Sequence, residues 1–187
     1  MEENRYNSML AGLPANIRIQ LDQIRRFVEA DNACAFVGSG FSRNAVSETG
    51  AEMSDWAGLR KVFYERLGGK ADWMEGKSQI ELASLIESTF GHHELNNLIY
   101  STLPDNEVRP GSLHHAMMSV RWRDVLTTNY DTLLERTAKD VPRNYQVVTT
   151  KETLLYSHSP RIIKLHGSFK DIRPFVMSEE DFRTYPQ

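Results

Sequence analysis

The stretch from Ala33 to Ser42, A-C-A-F-V-G-S-G-F-S, does most to limit what this chain can fold into. Five small or apolar residues, Ala33, Cys34, Ala35, Phe36 and Val37, run without a charge and stop at Gly38. An uninterrupted apolar run closed by glycine predicts a buried strand of a parallel sheet. The turn that follows, Gly38-Ser39-Gly40-Phe41-Ser42, lacks a Cβ at two positions, so its backbone turns tightly and lets a ligand approach closely. In α/β proteins such a turn offers free backbone N–H groups to a phosphate. A strand-to-helix turn with no ligand has the same pattern. A G-x-G that lacks the third glycine of the dinucleotide motif is weak by itself.

Bulk properties narrow the classes. The 187 residues are 40% hydrophobic and 25% charged, enough for a globular unit with a real core. A formal net charge of −3 gives no reason to expect a nucleic-acid partner. No apolar run approaches the ~20 residues that span a bilayer, and Met1 to Tyr6 is polar and acidic, unlike a secretory signal. The cytoplasm is the expected compartment. The single cysteine, Cys34, excludes an internal disulfide and a four-cysteine zinc site. Its place in the apolar run predicts a small buried side chain.

Periodicity then orders the chain. Pro14 to Ala30 reads as a helix that buries Ile17, Leu21, Ile24 and Phe27/Val28. Asn44 to Gly50 is polar and reads as a loop. From Asp55, a plausible N-cap, a second helix carries Trp56, Leu59, Phe63 and Leu67 and ends at Gly68-Gly69. Further helices are expected over Ser78 to Phe90, His93 to Thr102, and from Ser112 through Val120. A helical insertion of about 52–120 thus separates the first strand from the next, Asp124 to Thr128. A helix over Thr132 to Lys139, a strand over Tyr145 to Val148 and a helix over Lys151 to Tyr156, boxed by Thr149 and Glu152, follow. Arg161 to Leu165 is a strand and Phe175 to Met177 one more candidate. Ser178 caps a helix that starts just before Gln187. Strands alternating with helices predict an α/β fold: a Rossmann-like parallel sheet with helices on both faces.

In such sheets ligands bind beyond the C-terminal ends of the strands. Three strands here finish in small polar clusters: Gly38-Ser39-Gly40-Phe41-Ser42, Thr127-Thr128-Asn129-Tyr130-Asp131, and His166-Gly167-Ser168. Singly, Asp131 reads as a helix cap, Asn129 as a turn residue and His166 as a satisfied strand-end histidine. Together on one rim they supply backbone donors, an amide, a carboxylate and an imidazole, which suits a phosphate-and-sugar ligand.

These three segments, in this order, resemble the sirtuin family. Gly38-Ser39-Gly40-Phe41-Ser42 stands where sirtuins carry Gly-Ala-Gly-x-Ser, Thr128-Asn129-Tyr130-Asp131 where they carry Gln-Asn-x-Asp, and Leu165-His166-Gly167 where they carry His-Gly. Thr-Thr-Asn-Tyr-Asp followed by Lys-Leu-His-Gly-Ser is closer to the bacterial NAD-cleaving domains of antiphage defence than to protein deacylases. The resemblance implies NAD as substrate. Gly38, Ser39, Gly40, Phe41 and Ser42 would hold the pyrophosphate and adjoining ribose. Asn129 would position the nicotinamide ribose or the attacking water. Asp131 would reach the carboxamide, and His166 would be the base. Thr128, Gly167 and Ser168 would complete the pocket. Asn129 and His166 are thus the candidate catalytic residues. It also implies a homo-oligomer or a sensor or effector partner, and no nucleic-acid or membrane contact.

The chain departs from the deacylases in two ways. Their four-cysteine zinc module has no counterpart, so no metal is expected and water is the more economical acceptor. Sirtuin-type sheets also continue past the His-Gly strand, so residues 1–187 read as one sirtuin-like domain truncated at its C-terminal end. A non-catalytic NAD or ADP-ribose sensor and a protein deacylase are the competing readings.

Remaining residues have plainer roles. His92-His93 and His114-His115 are adjacent pairs that point about 100° apart on a helix and so do not chelate. His114 is expected to be packed and hydrogen-bonded, and His158 solvated. Arg121, Arg123 and Arg136 are expected on a solvated surface, and Trp56 and Trp73 in packing.

Overall fold

A computed structural model describes residues 8–69, 72, 75–171 and 175–185. Trp73 and the last residues of the chain lie outside the described residues. The elements, in chain order, are α1 (Ala15–Glu29), β1 (Cys34–Val37), α2 (Ser39–Ser42), β2 (Val46–Ser47), α3 (Trp56–Arg66), α4 (Gln79–Phe90), α5 (His92–Thr102), a 3₁₀ turn (Asp105–Glu107), β3 (Val108–Arg109), α6 (Ser112–Met118), β4 (Asp124–Thr127), α7 (Leu133–Thr137), β5 (Gln146–Val148), α8 (Lys151–Tyr156), β6 (Arg161–Lys164) and α9 (Glu179–Thr184).

The four strands β1, β4, β6 and β5 lie in that order in one parallel sheet. Val37 aligns with Thr127 and Thr127 with Lys164, so the three candidate strand ends finish side by side. Helices flank the sheet, giving the expected α/β, Rossmann-like fold. Among the described residues no helix is long and apolar enough to cross a membrane.

Local chemistry explains the helices between β1 and β4. Asp55 caps α3 by accepting from Ala57 N at 3.0 Å and Gly58 N at 3.1 Å. Ser78 and Glu81 form a reciprocal capping box on α4. Gly68 and Gly91, at φ 102° and 87°, turn the chain after α3 and α4 where a side chain would be strained. These helices bury Leu59, Phe63, Leu82, Ile86, Leu95 and Ile99 against Tyr130, Leu133, Phe175 and Met177. Full burial of each such aliphatic or aromatic side chain is worth about 1.5–3 kcal/mol. This core therefore sets the helical layer directly behind the Asn129–Asp131 segment. A second core, with Val37, Met118, Val125, Leu134, Tyr145 and Ile162, holds the sheet to α6 and α7.

Several expectations are corrected. β1 is an edge strand, with Cys34 exposed and Phe36 67% exposed, so neither is a core residue. Ile17, Ile24 and Phe27 of α1 are also exposed, and α1 buries no residue. The amphipathic pattern predicts the helix correctly but not a partner for its apolar face. The Asn44–Gly50 loop contains β2, which pairs antiparallel with β3. The cap of α8 is Thr150, which accepts from Thr153 N at 3.0 Å, one step after the box expected from Thr149 and Glu152. Residues 175–177 form no strand. Phe175 and Met177 are buried in the helical core instead. Arg136 is only partly solvated, because it donates to Asp105 and to the Val108 carbonyl.

Candidate functional site

The rim is built from three parallel strand ends. Gly38 leaves β1 and α2 begins at once, with Gly38 and Gly40 exposed and Ser42 buried. Thr127 closes β4. Its hydroxyl donates to Val37 O at 2.9 Å and accepts from Asn129 N at 3.0 Å, which clamps the second strand end to the first. Leu165 N donates to Thr127 O at 2.8 Å, carrying the parallel pairing up to His166.

At the centre is a buried network. Asn129 Nδ2 donates to Ser42 Oγ at 2.8 Å and to Gly38 O at 3.1 Å. Ser42 Oγ donates in turn to Asp131 Oδ2 at 2.6 Å. Asp131 Oδ1 accepts from Leu133 N at 3.1 Å, so Asp131 bonds the first residue of α7 and joins the site, while the cap position itself is Thr132. The network therefore unites Gly38, Ser42, Asn129 and Asp131, which lie about ninety positions apart in sequence. Ser42 is consumed here and is less free to face a phosphate than its motif position suggests. Asn129 Oδ1 is buried and has no hydrogen-bond partner among the described residues.

His166 follows β6 on the same rim but makes no hydrogen bond to that network. Its ring stands edge-on to Phe182 of α9, with centroids 5.2 Å apart. Its Nδ1 is buried without a partner among the described residues. Burial holds the imidazole below the ordinary histidine pKa, so the ring is neutral at pH 7 and able to accept a proton. Gly167 adopts φ 98°, a left-handed turn that only glycine takes without strain. Ser168 is buried and its hydroxyl accepts weakly from Lys170 N at 3.4 Å, inside the turn after β6. Thr128 lines the central cavity. Phe41 stacks edge-on against His114 at 4.8 Å.

Two openings meet at α2. A cavity of about 20 Å³ lies against Ser39, Ser42, Thr128, Asn129, Tyr130 and Asp131, and its other wall is Met53, Ser54, Trp56, Leu59 and Leu103. A groove of about 740 Å³ runs along Ala35–Phe41 to Asn44, Trp56 and Met117. Ser39 and Trp56 border both. Trp56 is thus a wall of the site as well as a packing residue. The inner cavity holds no more than a water molecule in this conformation.

Lys164 carries a role that its sequence position did not suggest. Its side chain is 1% exposed and pairs with Glu135 Oε1 at 3.0 Å. The same ammonium donates to the Asp131 carbonyl. Burial pushes the Glu135 carboxyl up, against the pull of Lys164. The available signal was a lone lysine two residues before His166, in a strand otherwise made of apolar residues after Arg161. His114 is packed as expected, accepting from Gly111 N at 3.2 Å. His92 bonds Glu87 at 2.7 Å.

The comparisons with known proteins agree with this geometry. Residues 123–187 match the model of the SIR2-like domain, a stretch that contains β4, β6 and two of the three strand ends. The chain is 25% identical over 173 residues to an NAD(+) hydrolase ThsA of Enterococcus faecium, covering 87% of this chain and 34% of that protein. It is 24% identical over 168 residues to an NAD(+) hydrolase ThsA of Cytobacillus dafuensis, covering 87% of this chain and 32% of that protein. The chain spans about a third of the length of the curated relatives it matches. The chain is therefore similar to the SIR2-like domain over residues 123–187 and to two NAD(+) hydrolases over most of its own length.

Proposed function

We propose that this chain is an NAD+ glycohydrolase domain that cleaves NAD+ to nicotinamide and ADP-ribose. The observation that carries the reading is a pair of orphaned atoms. Asn129 Oδ1 and His166 Nδ1, on adjacent strand ends, are both buried without a partner among the described residues. Buried polar atoms are ordinarily satisfied, and each one that is not calls for an explanation, of which a catalytic role is one. The names of the two similar hydrolases support the same substrate.

The Gly38-Ser39-Gly40 backbone, exposed at its two glycines, would take the pyrophosphate, with the 740 Å³ groove beside it for the rest of the nucleotide. The nicotinamide ribose would enter between Asn129 and Asp131. Asn129 would orient the ribose or a water at its anomeric carbon. The glycosidic bond breaks and nicotinamide leaves with the bonding electron pair. The water oxygen bonds to the anomeric carbon, and its proton passes to neutral His166. Asp131, held by Ser42 and Leu133, would bind the carboxamide. No metal enters this scheme.

Entry to the inner cavity requires the Met53–Trp56 wall to move, because about 20 Å³ admits no ring. That closure favours a second reading, a domain that binds NAD or ADP-ribose without cleaving it. It also supports activation by a partner or by oligomerisation, as do the exposed apolar residues of α1 and β1. The setting we propose is bacterial antiviral defence in the cytoplasm, following the resemblance of the three motifs.

The test is nicotinamide release from NAD+ by the full chain, wild type beside Asn129→Ala and His166→Ala. Release by the wild type that falls at least a hundredfold in both variants supports hydrolysis. Binding of NAD+ by calorimetry with no release establishes the sensor, and neither binding nor release overturns both readings.

A further inference from the structure

The opposite end of the sheet carries a second polar pocket. It has a volume of about 450 Å³ and is lined by Asp31, Arg123, Arg143, Ser157, His158, Ser159 and Arg161. These residues cluster at the N-terminal ends of the strands. Arg161 opens β6, Arg123 precedes β4, and Arg123 N donates to Ala33 O at 2.7 Å just before β1. None belongs to the rim that holds Asn129 and His166.

Three guanidiniums face one lining carboxylate. Arg143 donates to Asp31 at 2.9 Å, and Arg121, outside the pocket, shares that aspartate at 2.6 Å. Arg161 grips Asp124 through two nitrogens, at 2.7 and 3.0 Å. Arg123 meets no carboxylate among the described contacts, only the Asn32 amide at 3.3 Å. An arginine carries five N–H donors, so each of the three keeps donors beyond these bonds. The aspartates thus act as braces that fix the forks in place, and the surplus charge is positive.

We propose that this pocket binds the phosphate groups of a small anion, either free diphosphate or the diphosphate of a nucleotide. Planar guanidinium forks suit phosphate oxygens in pairs. A volume of 450 Å³ takes a ligand of that size. The site stands independently of the NAD+ reading, since it shares no residue with it.

Calorimetric titration of the full chain at low ionic strength tests it, with inorganic pyrophosphate and ADP as probes. Arg123→Glu, at an exposed position, is expected to weaken both at least tenfold. Arg123→Gln, which keeps the side chain's size, is expected to weaken both severalfold and serves should the reversal disturb folding. Lys61→Gln, at a position 76% exposed on α3 and outside both sites, is expected to change neither. Tighter ADP than pyrophosphate assigns a nucleotide, and equal affinity assigns the free anion. No binding by the wild type at millimolar probe, or equal binding by wild type and both Arg123 variants, would overturn the proposal.

Discussion

Ser42 Oγ donates a 2.6 Å hydrogen bond to Asp131 Oδ2, joining two residues 89 positions apart. The bond ties the glycine turn after β1 to the segment after β4, and Asn129 closes it from the other side at 2.8 Å. Two motifs that look like separate binding elements are therefore one hydrogen-bonded body. The serine that ends the glycine turn is its hinge pin, and the exposed glycines before it remain free for a ligand.

Replacing Ser42 with alanine should separate these motifs. Asp131 Oδ2 would lose its donor in a buried place, and Asn129 Nδ2 would keep only Gly38 O. Hydrogen bonds to charged groups are worth about 1.5–3 kcal/mol. Urea unfolding of Ser42→Ala should show a loss of about 2 kcal/mol with an unchanged m value. A loss under about 0.5 kcal/mol would mean that the hydroxyl does not hold the carboxylate.

Lys164 and Glu135 support the same segment from beneath. Removing one partner of a buried pair strands the other charge and costs about 3–5 kcal/mol. Lys164→Met should fall in that range, because it also leaves the Asp131 carbonyl without its donor. Lys164→Met combined with Glu135→Leu should recover much of the loss, since well-packed apolar replacements of a buried pair are tolerated. A double-mutant cycle with no coupling between the two positions would contradict the pair.

Much of the rim was legible in the sequence because its elements end where the chemistry changes. Ala33–Val37 stops at glycine, and the run read as Asp124–Thr128 stops at Asn129, one residue past the observed end at Thr127. Those boundaries and their side-by-side placement follow from strand patterning and parallel order. What was not legible depends on neighbours. The apolar run of β1 reads as buried, yet Phe36 is exposed because β1 is an edge strand of the described sheet. The stripe of α1 has the right period, yet period says nothing about whether another element covers it. Lys164 looked like an ordinary strand residue, and only the fold brings Glu135 and the Asp131 carbonyl to it.

Two glycines should respond in opposite ways. A Cβ at Gly111 would overlap the backbone oxygen of Asn44, two residues beyond Ser42, so the backbone of one or the other must shift. Gly111→Ala is expected to cost about 1–3 kcal/mol, the range for overpacking a tight contact. A Cβ at Gly40 meets nothing within 4 Å. Gly40→Ala should leave stability within about 0.5 kcal/mol, and any loss of NAD+ affinity would then come from the ligand's approach to that backbone. Parallel melts of the two variants, with calorimetry for the second, separate the cases.

Stability should fall with acid in two windows, each traceable to named groups. Burial holds His166 below the ordinary value of 6.5 and does the same to His114, where the Asp131 charge opposes it. As pH drops below 6.5 the unfolded chain takes up these protons first. The stability that neutral histidines contribute is therefore complete above 6.5 and declines as pH falls toward their folded values. Asp124 acts lower. Burial pushes its carboxyl up, but hydrogen bonds from Arg161 and Ser159 together with the Arg161 charge outweigh burial and hold it below 3.8. Its contribution is present above 3.8 and is lost as pH falls through the folded value. Urea midpoints measured from pH 8 to pH 3 should show both slopes. His166→Gln should flatten the first in part, His114 carrying the rest, while Asp124→Asn should flatten the second and lower stability at pH 7, because Arg161 loses its carboxylate. An unchanged slope between pH 6.5 and 5 in His166→Gln would show that the ring titrates alike in both states and that burial does not hold it neutral further into acid.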